Sequence, residues 1–267
     1  MKTTLITGAS SGIGEAFARR LAGRGESLLL VARSEDRLRE LCNELGRAGN
    51  VGCQYVAIDL SEAGAGARLF EETRRRGLEV ETLINNAGFG SMGEFTSLDL
   101  TRELNMIELN VRALVELTHL FLAPMLGRGR GAIVNVASTA AFQPVPFMAT
   151  YAATKAFVLS FSVALWEESR GRGVEILALC PGVTETNFFA AGRMDRPPMR
   201  SVQTPDEVVA AALAALEGNR SHVISGWLNY ALAESQRLLP RSVVARVVGK
   251  TMRDSFKKQR SEVRDQG

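Results

Sequence analysis

Thr4-Leu5-Ile6-Thr7-Gly8-Ala9-Ser10-Ser11-Gly12-Ile13-Gly14 stands near the start of the chain and decides its architecture. An apolar, β-branched run meets a glycine-rich turn, and Ala16–Ala22 behind it has the spacing of a helix. Glycines permit a tight turn and a close approach of backbone to phosphate, while free N–H groups and the helix dipole attract an anion. The stretch reads as strand, anion-binding turn and helix. Glycine spacing alone is equally compatible with a turn of purely structural use. The strand before and the helix after favour the anion site.

The same alternation continues along the chain. Short apolar runs predict buried strands at Thr4–Ile6, Leu28–Val31, Gln54–Ile58, Thr82–Ile84, Ala132–Val136 and Glu175–Leu179. Between them, 3.6-residue periodicity predicts helices over Ala16–Ala22, Arg37–Leu45, Ala67–Arg75, Leu104–Leu122 and Ala153–Ser169. This order calls for an α/β fold with a mostly parallel sheet covered by helices on both faces. No linker or repeat divides it, so one domain is expected. Residues 1–225 form its cofactor and catalytic body, and 226–267 a C-terminal helical extension. Residues 187–203, with Phe188, Phe189, Met194 and Met199, read as a substrate flap. Thr204, Pro205 and Glu207 mark a sharp helix start, and helices are expected over Gly226–Leu239 and Val243–Met252, on either side of Pro240.

Composition sets limits. With 46% hydrophobic and 23% charged residues in 267, the chain is ordinary globular protein, and a net charge of +3 gives no reason to expect nucleic acid as a partner. Cys42, Cys53 and Cys180 have no CxxC spacing and read as free thiols in a reducing compartment. The N-terminal apolar run is too short for a signal peptide, and no stretch approaches about 18 consecutive apolar residues. A cytoplasmic protein is expected. Near the end, Val243, Val244, Val247, Val248 and Met252 lie on one side of a helix and Arg241, Arg246, Lys250 and Arg253 elsewhere. Such a helix either packs on protein, the favoured reading, or lies on an anionic membrane surface.

The second strand ends Leu30-Val31-Ala32-Arg33. A carboxylate there would accept bonds from the ribose 2′-hydroxyl of NAD(H) and repel a 2′-phosphate. Ala32 occupies that place and Arg33 offers a planar cation suited to phosphate, so NADP(H) is predicted, with NAD(H) as the alternative. The other reading of Arg33 is a solvated strand-end charge.

Tyr151-Ala152-Ala153-Thr154-Lys155 puts a phenol and an ammonium on one helix face. A phenol with a pKa near 10 is a poor proton shuttle at neutral pH. A lysine charge about 5 Å away, at an effective dielectric of about 20, lowers that pKa by about two units. Ser138, after the strand Ala132–Val136, is placed to hold a substrate oxygen. Alone, Tyr–x–x–x–Lys is a common surface pair. With Ser138 and the glycine turn it points to interconversion of an alcohol and a carbonyl, a small-molecule substrate. Phe142, Pro144, Pro146, Phe147 and Met148, with the flap, either wall an apolar pocket or pack on one another or on a partner subunit.

Thr7–Gly14, Asn85-Asn86-Ala87-Gly88, Ser138, Tyr151/Lys155 and Pro181-Gly182, in this order, resemble the classical short-chain dehydrogenases/reductases from Met1 to about Asn187. The resemblance implies a single Rossmann-type, doubly wound domain with about seven strands, usually in a homodimer or homotetramer. It implies that Gly8, Gly12 and Gly14 form the cofactor turn, with contacts from Ser10, Ser11 and Ile13. It assigns Asp59 to adenine, Asn86, Ala87 and Gly88 to the adenosine ribose, and Pro181, Gly182, Val183 and Thr186 to the carboxamide end. Tyr151 becomes the acid/base, Lys155 the ribose ligand that lowers the tyrosine pKa, and Ser138 the substrate-orienting group. Asn110 matches the asparagine that holds a relay water; facing a sheet, it would equally serve backbone groups at a helix kink. Asp59 would also serve as a turn residue. Ser11 stands where some members carry a basic residue for the 2′-phosphate, so the NADP(H) preference rests on Arg33. No metal is implied. The class set against this oxidoreductase reading is a dinucleotide-binding sensor or scaffold.

Overall fold

The computed structural model describes residues 1–49, 51–186, 188, 202–236 and 239–264. Phe189, Met194 and Met199 of the expected flap lie outside the described residues. Seven strands form one parallel sheet: β1 Lys2–Thr7, β2 Leu28–Ala32, β3 Cys53–Ala57, β4 Glu79–Asn85, β5 Gly131–Val136, β6 Val174–Cys180 and β7 His222–Ile224, in the order β3-β2-β1-β4-β5-β6-β7. Leu5 of β1 aligns with Leu29 of β2 on one side and Leu83 of β4 on the other. The chain winds outward from β1 to β3, then returns to start the second half at β4. A crevice therefore opens beyond the carboxyl ends of β1 and β4, where crossovers leave in opposite directions.

The apolar strand runs follow from burial on both faces. On one face α1 (Gly12–Ala22), α2 (Glu35–Gly49) and α7 (Pro205–Glu217) bury Phe17, Leu38, Val209 and Leu213 against Ile6, Leu30 and Leu177. On the other, α3 (Ala65–Arg75) and α5 (Leu114–Arg128) bury Leu69, Leu117, Phe121 and Met125 against Leu5, Leu83 and Ile133. Preceding α5 are α4 (Leu100–Ile107) and a π-helical turn, Glu108–Ala113, which extend the helix expected over Leu104–Leu122. The run Leu100–Arg128 is long and apolar enough to cross a membrane by composition, but α5 packs on β4 and β5. α6 (Ala149–Glu168) follows β5. The start of α7 is the predicted capping box: Glu207 N–H donates to Thr204 Oγ1 at 3.3 Å, and Thr204 N–H to Glu207 Oε2 at 2.8 Å.

Two features depart from the sequence expectation. Cys42 and Cys53 are not free: α2 folds back beside the edge strand β3 and the pair forms a disulfide, Cα atoms 5.2 Å apart. Among the described residues Cys180 alone is free, so the cysteines no longer argue for a reducing compartment. The C-terminal valines do not share one environment either. After α8 (Trp227–Ser235), α9 runs Arg241–Arg264; Val244 and Met252 are buried, whereas Val247 is 61% exposed.

Candidate active site

The turn between β1 and α1 carries the strain that only glycine accepts easily. Gly8 and Gly12 hold φ of +64° and +59°. A Cβ on Gly14 would run into the Gly8 carbonyl oxygen, so this third glycine serves packing. Ser11, the N-cap of α1, makes no side-chain capping bond, leaving the first-turn N–H groups without a side-chain partner. Asn86 braces the turn from β4, with Nδ2 donating to the carbonyls of Thr7 (3.0 Å) and Gly8 (3.1 Å). Thr7 Oγ1 accepts from the N–H groups of Asn86 and Ala87, both at 3.0 Å. Thr7 is a supporting residue that sequence reading missed, because its partners are 79 and 80 residues away.

One cavity of about 1050 Å³ runs along the crevice, and a single surface joins Gly8, Ser10, Ser11, Gly12, Ile13, Arg33, Asp59, Asn86, Ala87, Gly88, Ser138, Tyr151, Lys155, Pro181, Gly182, Val183 and Thr186. Gly14 and Asn110 do not line it. At one end Arg33 Nη1 stands 3.7 Å from Asp59 Oδ2, with the Arg33 side chain 76% exposed. An ion pair that exposed is weak, which leaves the guanidinium available to an anion. Partial burial pushes the Asp59 carboxyl up. Hydrogen bonds from Ser61 Oγ (2.7 Å) and N–H (2.9 Å), together with Arg33, outweigh it and hold the group below its usual range.

At the other end Ser138 leaves β5 in extended conformation, and its Oγ accepts from Ala140 N–H at 3.1 Å. Tyr151, in the first turn of α6, is buried and lines the cavity beside Ser138. Lys155, one turn on, is also buried; its Nζ donates to the Val136 carbonyl at 2.8 Å and lies 5.9 Å from the centroid of the Tyr151 ring. The expected fall in the tyrosine pKa is reversed. Burial disfavours the phenolate more than the Ser138 hydrogen bond favours it, and the Tyr151 pKa is pushed up to about 12. Burial also brings Lys155 down to about 8. Desolvation of the phenolate is a larger effect here than the lysine charge one turn away.

Asn110 sits in the π-helical turn, buried behind the cavity wall. Its Oδ1 accepts from Phe89 N–H (3.1 Å), and its Nδ2 donates to the Phe89 carbonyl (3.0 Å) and to Thr154 Oγ1 (3.2 Å). It ties the β4 loop to the helix bearing Tyr151. Gly88 passes so close that a Cβ there would be 2.8 Å from Asn110 Oδ1 and 3.5 Å from Lys155 Nζ.

Residues 2–197, which include all of these groups, match the short chain dehydrogenase family. The chain belongs to that family. This short-chain dehydrogenase is 34% identical to the ketoacyl reductase HetN of a Nostoc species over 84% of its own length and 78% of the relative's. It is 33% identical to the very-long-chain 3-oxoacyl-CoA reductase-A of Danio rerio, over 87% and 74%. Among solved structures, it superposes on a 7β-hydroxysteroid dehydrogenase with a TM-score of 0.84 and 28% identity, covering 93% of this chain and 96% of the other. A short-chain dehydrogenase from Sphingobium yanoikuyae in complex with NADPH matches with a TM-score of 0.81 and 33% identity, covering 89% and 94%. The protein is an oxidoreductase of the nicotinamide-dinucleotide class. The glycine turn, the uncapped helix start and the continuous crevice fit such a cofactor.

The apolar end of the crevice in this short-chain dehydrogenase is built differently from the sequence expectation. Met148 and Phe188 do line the cavity, and the Phe188 ring lies tilted against Tyr151 with centroids 5.4 Å apart. Phe142 instead packs in a cluster with Val158 and Ile224, Pro146 faces a separate groove, and Phe147 lines that groove while packing against the Met148–Tyr151–Met252 cluster. Val247, Val248, Thr251 and Met252 of α9 supply the missing wall. Met252 packs with Met106, Met148 and Tyr151. Nothing local to residues 243–252 signals this, because the wall forms only when the C-terminus returns to the catalytic helix.

Proposed function

We propose that this short-chain dehydrogenase reduces the carbonyl of a substrate with a long apolar body, taking the hydride from NADPH. The observation that carries the reading is geometric: buried Tyr151, one helical turn from Lys155, shares a single cavity with Ser138 and with the apolar side chains of Met148, Phe188 and Met252. A nicotinamide dinucleotide in the crevice supplies the hydride. Ser138 Oγ and Tyr151 Oη bind the substrate oxygen from one side and polarise its carbonyl. Tyr151 gives its proton to that oxygen, and the Lys155 ammonium stabilises the phenolate left behind. Arg33 pairs with the 2′-phosphate, against the weak competition of Asp59. An acyl chain bearing a 3-oxo group fits the pocket chemistry, and the ketoacyl and 3-oxoacyl-CoA reductases among the relatives support that substrate class.

Titration with NADPH and NADH, followed by turnover of ketones, aldehydes and 3-oxoacyl thioesters, tests this. Tight NADPH binding with turnover of an apolar carbonyl supports it; NADPH binding without turnover on any of them favours a dinucleotide sensor. Tyr151→Phe should lose about 10²–10⁴ in turnover while keeping NADPH affinity. We read the assembly as a homodimer or homotetramer, for which exposed Leu100, Leu104 and Ile107 on α4 and Phe157 on α6 offer apolar surface. A monomer by light scattering would refute that.

A further inference from the structure

α9 separates the substrate pocket from a second groove. Val247, Val248, Thr251 and Met252 face the pocket, whereas Arg246, Gly249, Lys250 and Arg253, around the helix, face a groove of about 870 Å³. The far wall of this groove is Gly93, Glu94, Phe95, Pro146 and Phe147. Its shape is fixed. Phe147 holds a φ of +68°, unusual for a residue with a side chain, while its carbonyl accepts from Gly93 N–H at 2.9 Å. Gly249 lets the helix approach Pro146; a Cβ there would be 3.2 Å from Pro146 Cγ.

The groove is electrically lopsided. Arg246, Lys250 and Arg253 are exposed, and none forms an ion pair with a described carboxylate, although Glu94 lies on the opposite wall. They stand at i, i+4 and i+7, so their charges step about 6 Å and then about 4.5 Å along the helix axis. That spacing suits several phosphates on one ligand better than a single anion. Phe95, 61% exposed at the groove, offers a flat apolar face on which a base would stack. The helix between pocket and groove is only about 10 Å across. Exposed Val247 borders the pocket between the two openings, so an extended arm on a ligand held in the pocket would reach the groove over it.

We propose that this groove is a subsite for the phosphorylated, nucleotide-bearing handle of a thioester substrate whose acyl chain occupies the main pocket. The inference rests on the proposed reduction of an acyl carbonyl. The test compares the coenzyme A thioester of a 3-oxoacyl chain with the N-acetylcysteamine thioester of the same chain, which keeps the carbonyl and lacks the phosphates. NADPH is kept saturating, so that the phosphorylated handle does not enter the dinucleotide crevice. The wild-type KM should be about tenfold lower for the coenzyme A ester, as a few exposed charge contacts allow. In Arg246→Gln/Lys250→Gln/Arg253→Gln that advantage should disappear at unchanged kcat, with the N-acetylcysteamine ester unaffected; Arg246→Lys/Arg253→Lys should retain most of it.

Equal KM values for the two esters in the wild type, or a triple variant that shifts both alike, would overturn the subsite and leave the reductase reading intact. If neither ester turns over, calorimetry of the NADPH-loaded protein with coenzyme A decides. Binding that the triple variant loses keeps the subsite and sinks the acyl substrate, and absence of binding sinks the subsite. Co-sedimentation with phosphatidylglycerol vesicles that depends on the three cations, without coenzyme A binding, would assign the phosphates to lipid and overturn the handle.

Discussion

Replacing Lys155 with methionine should make the cofactor-free protein more stable at neutral pH while crippling it as an enzyme. In the folded state burial lowers the Lys155 pKa from 10.5 to about 8. That drop corresponds to about 3 kcal/mol, the cost of keeping the ammonium where it is desolvated. Above pH 10.5 the lysine is neutral in both folded and unfolded chains and the cost is absent. Between 10.5 and about 8 the unfolded chain takes up a proton that the folded one does not, so stability falls as pH falls. Below about 8 the penalty is complete. Methionine is similar in length and carries no charge, but it loses the 2.8 Å bond from Nζ to the Val136 carbonyl, worth about 1–2 kcal/mol. The net gain at pH 7 is about 1–2 kcal/mol, and a chain of this size gains about 2–4 °C per kcal/mol. Thermal unfolding at pH 7 and at pH 10.5 reads both arms. Lys155→Met should melt several degrees above the wild type at pH 7 and at or below it at pH 10.5. A variant less stable at pH 7, or a difference that does not change with pH, refutes the desolvation argument. Tyr151 affects both proteins alike: its raised folded pKa keeps the proton on as pH passes 10, which removes stability only above that value.

Further outcomes follow from the same geometry. Arg33→Ala should weaken NADPH binding about tenfold and leave NADH nearly unchanged, since an exposed cation contributes on the order of 1 kcal/mol to a phosphate; equal losses for both cofactors by fluorescence titration would remove Arg33 from cofactor choice. Met252→Ala should raise KM for long-chain carbonyls several-fold and spare short ones, because Met252 packs beside Met148 and Tyr151 on the pocket wall. A uniform change across chain lengths would mean that α9 supports the fold without reading the substrate. Thiol titration of the denatured, unreduced protein should count one free thiol, Cys180. Three would contradict the Cys42–Cys53 pairing.

The sequence by itself determined the architecture and the reacting pair. Strand patterning, the glycine turn and the order of elements are local signals, and a parallel sheet buried on both faces leaves them little freedom. The Tyr151–Lys155 neighbourhood is legible because an i, i+4 pair meets on any helix. The sharing of one cavity by Ser138 and Tyr151 needed only the expected fold, whereas the Arg33–Asp59 approach appears where β2 and β3 pair. The rest depended on what covers what. The sign of the tyrosine pKa turned on burial, which no spacing reports. Asn86 lines the crevice as the resemblance implies, and its side chain also braces the turn, a role hidden in the sequence because the ends of β1 and β4 meet only in the folded sheet. The disulfide followed from α2 folding back on β3, and the pocket wall from a helix about 100 residues beyond Tyr151 returning to pack on it. Periodicity determines which face of an element is buried; the tertiary structure alone decides which partner buries it, and that choice sets dielectric, pocket shape and charge.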